Sequence, residues 1–521
     1  MIENSKTVPL WQRFSVQSRC AFLSAVIVGL MVHLFAFSNI IPNSDGLSRI
    51  FDEQQMTVSG RWFLHFASMF HGYIQAPGLI GGLSLVFLGA AGALMVDALE
   101  IRSNTVAILC GGFVVTFPAM AYTYLYMFTA SAYAFAILLA VLSVWIVRKM
   151  PGRFWIGAIP LACAVGTYQA YFAVAVSLAL CCVILDLLNH NRELKETVTN
   201  GFRVLGMLAI GAVVYYGAMK LFLLVKGVEL LSYKGMDSVG FSLGTIVGIY
   251  RDFLYYFLIP GAASYVTVPM VCAHLALIGI GGICVLIPLL REKLYREPVR
   301  IVLLVVGAAL IPLGFNFTQL LSESTAIMRY SFVFVYVFCA ALADRMWEVS
   351  LKNIPWVRIG AYGISALLIL LCAQVCNMAY TSSATAHRAT EAFSANLVGR
   401  VESTPGYKRD MEVVIIGSFP QDVYYSGVEE FSMVEHYSCM SATVMQLNKH
   451  VYYYLNDWLN VPWQEPAEET MILVSESDAF QAMPLYPSDG SVAILDGRVV
   501  VKLAEEYIPK QDYELAYEDR K

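Results

Sequence analysis

The sequence predicts a polytopic α-helical membrane protein of about eleven spans, followed by a small C-terminal α/β domain. Three observations predict it. Of 521 residues, 58% are hydrophobic and 14% charged, with mean hydropathy +0.62, against roughly a quarter charged in a soluble chain. Apolar runs long enough to cross a hydrocarbon core as helices, about 20 residues each, recur through residues 1–380. These runs lack the polar/apolar alternation of barrel strands, so helices are the spanning element.

In chain order the expected spans are 20–41, 76–96, 104–120, 124–147, 154–168, 170–188, 204–225, 268–290, 300–318, 327–344 and 358–380. The third and fifth are short and end where little polar linker exists, so either could join its successor as one bent helix. The first run has no small-residue cleavage site and reads as a signal anchor. With residues 1–19 inside, the inner loops hold 17 Lys and Arg, Arg102, Arg148, Arg192, Arg300 and Arg345 among them, against 6 in the outer loops. That bias sets the orientation, and an odd span count then places the C-terminal domain on the non-cytoplasmic side.

Two outer segments are too long to be turns. In 42–75, Leu47, Ile50, Phe51, Gln54 and Val58 share a helical stripe, which predicts an amphipathic interfacial helix. In 226–269, the aromatic stretch from Phe241 to Pro260 is a candidate re-entrant or interfacial helix, with two further spans as the other reading.

The chain changes character near Thr381. From Ser382 onward it holds 22 Asp and Glu against 10 Lys and Arg, leaving a net +7 elsewhere. An acidic domain argues against nucleic acid and points to lipids and glycans as partners. Ten of eleven cysteines lie in or beside apolar runs, and only Cys439 falls in the tail, so no internal disulfide holds that domain. Across 381–521 the pattern predicts a helix continuing from the last span, a strand in MEVVIIGSF, an amphipathic helix in SATVMQLNKHVYYYLNDWLN, a strand in TMILVS, and a hairpin in GSVAILDGRVVVKL turning at Asp496-Gly497. Glycine-rich phosphate loops, metal-ligand clusters and repeats are absent from the sequence.

The first outer loop carries the most chemistry. Asp45 stands at the exit of the first span, and Arg61 follows 16 residues later. A carboxylate at the membrane surface can deprotonate an acceptor hydroxyl, and an arginine nearby can neutralise a phosphate. Plainer roles stand beside these. Asn43, Ser44 and Asp45 are all preferred N-caps, and Gly60-Arg61-Trp62 can anchor the chain at the headgroups. His65 and His71 are six residues apart, which is not a same-face helical spacing, and this argues against a metal pair. Tyr168 and Gln169, near an outer turn, are candidates to stack on and hydrogen-bond a sugar, as is Trp62; Gln169 can equally bond a neighbouring helix. Glu323 stands six residues before Arg329 and can pair with it. Lys220 and Arg251 are reserve phosphate ligands.

The Asp at the head of the first outer loop, the GRW that follows, GTYQAYFAVAVSL at 166–178 and the arginine of MRYSFVF together resemble the glucosyl transferase II family of bacterial O-antigen and surface-polysaccharide glucosyltransferases. The resemblance spans most of the membrane part and, more weakly, MPLYPSDGSVAILDGRVVVKL in the tail. It implies the GT-C class: a polytopic helical fold, an outer-face site and a hexose donor on undecaprenyl phosphate, supplied by a donor-lipid synthase and a flippase. It implies direct, inverting displacement onto a surface glycan, with Asp45 as base, Arg61 and Arg329 on the donor phosphate, and Trp62, Tyr168, Gln169 and Glu323 about the sugar. The family often has adjacent acidic residues where this chain has Ser44-Asp45, which leaves one firm base and weakens a two-carboxylate metal site; the sequence does not decide a metal requirement. A polysaccharide polymerase or ligase and a lipid-linked glycan flippase or transporter are the alternatives. A large arginine-rich late outer loop marks the former and paired, interrupted halves the latter, and neither pattern is present.

Overall fold

The computed structural model describes residues 14–230, 242–320, 325–346, 355–419, 434 and 444–509. The chain divides into two units, Met1–Ile40 with Asp52–Met378, and Ile41–Phe51 with Ala379–Lys521.

The larger unit is a polytopic helical membrane domain. Among the described residues, nine helices are long and apolar enough to span: Val16–Ser38, Pro77–Ala98, Met127–Lys149, Gln169–Leu187, Leu194–Lys226, Val268–Arg291, Pro298–Phe315, Ala326–Arg345 and Trp356–Glu402. The pair Asn104–Thr116 and Ala119–Leu125 makes a tenth if its 45° bend is one broken span. The bend follows from Pro118, which pushes Phe117 out of the helical region (φ −52°, ψ 135°). The run expected at 154–168 is instead a tight turn, Pro151–Gly157, and a ten-residue helix, Ala158–Thr167, about half the length a crossing needs. Glycines bring the helices close. A Cβ on Gly111 would lie 2.3 Å from the Ala21 carbonyl, and one on Gly29 would lie 2.4 Å from Leu85, the small-residue contact typical of membrane helix pairs.

One end of this bundle is tied by charge. Asp186, its side chain 2% exposed, is bridged by Arg148, by Arg192 at 2.9 Å and by Arg345 at 3.6 Å. Glu100 takes Arg148 at 3.0 Å, Arg345 at 3.2 Å and Arg192 as well. Arg345 also donates to the carbonyls of Leu99 and Leu185. Arg300 donates to those of Leu187, Asn189 and Arg192, and Asp344 accepts the N–H groups of Arg102 and Ser103. Arginines that sequence counting treats as topology markers thus close the ends of several helices. Removing this buried carboxylate leaves three guanidiniums to share the partly exposed Glu100, so Asp186→Ala should lower stability by about 3–5 kcal/mol. Thermal unfolding in detergent measures this, and a midpoint unchanged from wild type would contradict it.

The single interfacial helix expected in 42–75 does not form. Residues 44–71 make short turns, Ser44–Gly46, Thr57–Ser59, Leu64–Ser68 and Met69–His71. Gln54 (φ 56°) and Gly60 (φ 76°) adopt left-handed backbone that interrupts a helix. The stripe is broken in burial too, since Leu47 is fully buried and Phe51 is 62% exposed. In 226–269 the described residues hold one helix, Leu243–Leu258, with Ile249, Phe253, Tyr256 and Phe257 inward and Leu243, Val247, Leu254 and Tyr255 outward.

The smaller unit is built on a three-stranded sheet: β1 (Val413–Ile416), β2 (Val492–Leu495) and β3 (Arg498–Lys502), in the order β1-β3-β2. β1 runs parallel to β3, with Val413 opposite Val499, and β2 is antiparallel to β3. The expected hairpin turns at Asp496 (φ 49°) and Gly497 (φ 77°), the positive-φ pair of a type I′ turn. The strand expected in TMILVS is a helix, Glu468–Glu476, with Glu468 and Glu469 in its first turn, where the helix dipole favours acid. The helix expected across 441–460 is confined to Asn448–Tyr453 and a wider turn, Tyr454–Trp458; residues 441–443 lie outside the described residues. The helix predicted to follow the last span continues to Glu402, and Phe393, Leu397 and Val401 pack into the same core as β1 and β3.

His450 gives this unit a pH dependence. Its Nδ1 accepts the Leu447 N–H at 3.3 Å, and burial, aided by the Lys449 charge, lowers its pKa from 6.5 to about 4. The unfolded chain therefore binds a proton at higher pH than the folded one. Stability is complete above about pH 6.5 and falls as pH drops toward 4, by up to about 3 kcal/mol from this group. Thermal melts across that window should show the decline, and His450→Gln should flatten it.

Candidate functional site

The loop that follows the first span makes a left-handed turn at Gly60 (φ 76°). Gly60 is there because no side chain fits: a Cβ would lie 2.8 Å from both Gln169 Nε2 and the Tyr215 hydroxyl. Gln169 donates to the Ser59 carbonyl at 2.8 Å and to the Tyr215 hydroxyl at 3.3 Å, and Tyr215 donates to the Gly60 carbonyl at 3.3 Å. One residue on, Arg61 sets its guanidinium 4.8 Å from the centre of the Tyr168 ring and donates to the Tyr133 hydroxyl at 3.3 Å. Tyr133 and Tyr168 stack at 4.7 Å, within 6° of parallel, and Tyr171 meets both edge-on. Trp62 stacks on Phe222 at 5.3 Å and lies against Gly166, where a Cβ would come within 2.6 Å of the indole. Phe63 N–H donates to the Gly166 carbonyl at 2.8 Å.

GRW and GTYQAY, separate motifs in the sequence, are therefore two halves of one structure. The packing places three of the expected site residues. Tyr168 is 4% exposed, with its ring against Tyr133 and Arg61. Gln169 uses its amide nitrogen to fix the loop, the helix-bonding role weighed from sequence. Trp62 packs into the helices, with its indole nitrogen buried and lacking a hydrogen-bond partner among the described residues. Tyr133, Tyr215 and Phe222 were missed, because a tyrosine or phenylalanine in an apolar run carries no signal separating it from core.

This assembly lies at the end of the bundle away from the ionic network. Tyr133 and Arg148 share the helix Met127–Lys149, and their spacing of fifteen residues is about 22 Å along its axis. Arg329 and Arg345 are comparably separated. The turn Ala326–Phe332 that carries Arg329 packs against the turn Gln169–Tyr171, and Arg329 lies within electrostatic range of the Tyr122 and Tyr265 hydroxyls. Two reserve cations do not join. Lys220 is exposed and sits 5.6 Å from the Tyr216 ring, five residues and so about 140° around its helix from Tyr215. Arg251, 59% exposed, is paired with Asp252 at 2.9 Å. Glu323 lies outside the described residues. Among the described residues no group of three or more His, Cys, Asp or Glu could hold a metal ion. His65 and His71 have separate partners, Glu53 with Tyr73 and Ser131 respectively.

Asp45 belongs to the other unit. Asn43 caps its turn by accepting the Gly46 N–H at 2.7 Å, so capping does not account for Asp45. Its side chain is exposed, and its backbone carbonyl accepts from Arg49 Nε at 2.9 Å. Two residues on, Leu47 is buried in the core formed with β1 and β3, and Trp458 Nε1 donates to its carbonyl at 2.8 Å.

A family model described as Glucosyl transferase GtrII matches residues 34–343, more than half of the chain. The chain belongs to the glucosyl transferase GtrII family. No curated protein and no solved structure matches it. The part shared with the GtrII family takes in Asp45, Arg61, Tyr168, Gln169 and Arg329 and stops before residues 379–521. This GtrII-family protein is thus a membrane glycosyltransferase.

Proposed function

We propose that the protein transfers a hexose, glucose as the family's name indicates, from undecaprenyl phosphate to a surface glycan at the outer face of the bacterial cytoplasmic membrane. The observation that carries this is the Arg61 assembly. Within the family-matched region, a guanidinium is held in a fixed plane by two tyrosines, at the end of the bundle opposite the arginine-rich one. The bias of basic residues supports placing that end outside, with residues 1–19 inside and the C-terminal unit outside.

Asp45 takes the proton from an acceptor hydroxyl. The hydroxyl oxygen then attacks the anomeric carbon, whose bond to the lipid phosphate breaks with inversion, as in the GT-C class. Arg61 and Arg329 stabilise the charge that grows on the departing phosphate. That phosphate is a good leaving group without protonation, so a single carboxylate suffices. Tyr168 and Tyr133 restrict Arg61 to one orientation, which reduces the reorganisation needed as charge develops.

The test is reconstitution of the purified protein in lipid discs with radiolabelled undecaprenyl-phosphate glucose and the surface polysaccharide of the cells that make it. Label should move to the polysaccharide. Label arriving from a nucleotide sugar instead, with the lipid-linked donor inert, would overturn the proposal.

A further inference from the structure

The C-terminal unit contains a cleft of about 240 Å³ at the carboxyl ends of its parallel strands. Gly417 directly follows β1, and Glu506 and Tyr507 follow β3. Open α/β sheets take their ligands outside this edge. The volume is below the roughly 300–1,000 Å³ of a drug-sized ligand site and suits a sugar ring better than a nucleotide.

Two details show how the edge is kept open and what it lacks. Gly417 has φ +110°, and a Cβ there would lie 2.7 Å from the Ala504 nitrogen, so any larger residue would disrupt this edge. Asn448 accepts the Gly417 N–H on Oδ1 at 2.9 Å. That bond orients the amide and leaves Nδ2 buried with no hydrogen-bond partner among the described residues. A buried donor in this state favours a ligand that brings an acceptor.

Charge narrows the ligand class. The lining sets one ammonium, Lys449, against two carboxylates, Glu465 and Glu506, a balance that disfavours phosphates and acidic sugars. Carboxylates accept from neighbouring hydroxyls, and Tyr507 adds an apolar ring with a polar tip. Burial, with Glu468 and Glu465 beside it, raises the pKa of that hydroxyl, so it stays a neutral donor.

We propose that this cleft binds a neutral sugar ring of the glycan that accepts the transferred hexose. The sugar class rests on the lining, and the acceptor assignment rests on the transferase reading above.

The experiment uses the full chain in lipid discs. The probe is the repeat-unit oligosaccharide from the surface polysaccharide of the producing cells, followed by saturation-transfer NMR and titration without donor. Asn448→Asp keeps the oxygen that Gly417 needs and removes the donor; Glu506→Gln changes an exposed side chain. Each should weaken binding about tenfold. Wild-type affinity in both variants would overturn the cleft, as would inorganic phosphate or calcium ion binding there in place of the oligosaccharide. Loss of binding in the variants, beside a wild-type protein that transfers no sugar, would sink the transferase reading and keep the sugar site. Transfer with an unchanged acceptor KM in both variants would keep the transferase and sink the site.

Discussion

Asp45→Asn should reduce sugar transfer by about 10²–10⁴-fold, the range that a positioned general base contributes, while the protein remains folded in the membrane. The separation of effects follows from the turn that carries it. Asn43 makes the cap, and the Asp45 carbonyl, which the substitution retains, takes the bond from Arg49. The carboxylate is exposed, so asparagine in its place removes only basicity. Expression, detergent extraction and melting temperature should match the wild type, while initial rates from undecaprenyl-phosphate glucose collapse. A variant that transfers at the wild-type rate would remove Asp45 as the base.

Arg61→Ala should lower kcat/KM for the lipid-linked donor by about 10²–10³-fold, the loss seen when a preorganised electrostatic contact to a developing anion is deleted. Arg61→Lys should recover only part of this. The side chain is held as a plane, with its guanidinium over the Tyr168 ring and a nitrogen on the Tyr133 hydroxyl. An ammonium keeps the charge but neither the plane nor the fork. Arg329→Ala gives the comparison, because Arg329 lies on a separate turn beside Tyr122 and Tyr265. Donor kinetics unchanged in both alanine variants would take the arginines off the phosphate.

Much of this architecture is legible in the residues, and the limits have physical causes. Apolar length identified the spanning helices, because a hydrocarbon core allows few alternatives. At 154–168 it gave one run where the structure has a tight turn, Pro151–Gly157, and then a shorter helix, Ala158–Thr167. The Asp496-Gly497 hairpin was readable because its turn needs positive φ at both positions. TMILVS was not, since a short apolar run carries no period that separates strand from helix. At the site, Gly60, Arg61, Tyr168 and Gln169 were visible as motifs. Their mutual packing was not, because Tyr133 and Tyr215 lie 72 and 155 residues from their partners in the loop. The stripe from Leu47 to Val58 misled for a related reason: helical spacing says which residues could share a face, not which part of a long chain will bury them.

The bond from Trp458 to Leu47 spans 411 residues. During synthesis, the segment bearing Asp45 emerges among the first residues but must wait for almost the last ones before it acquires its native neighbours. A ribosome-bound chain halted between Glu402 and Trp458 would carry the nine spanning helices named above and the whole Arg61 assembly, yet the segment bearing its aspartate would lack this bond. On the proposed chemistry, such a chain could not release sugar from the donor lipid while still incomplete.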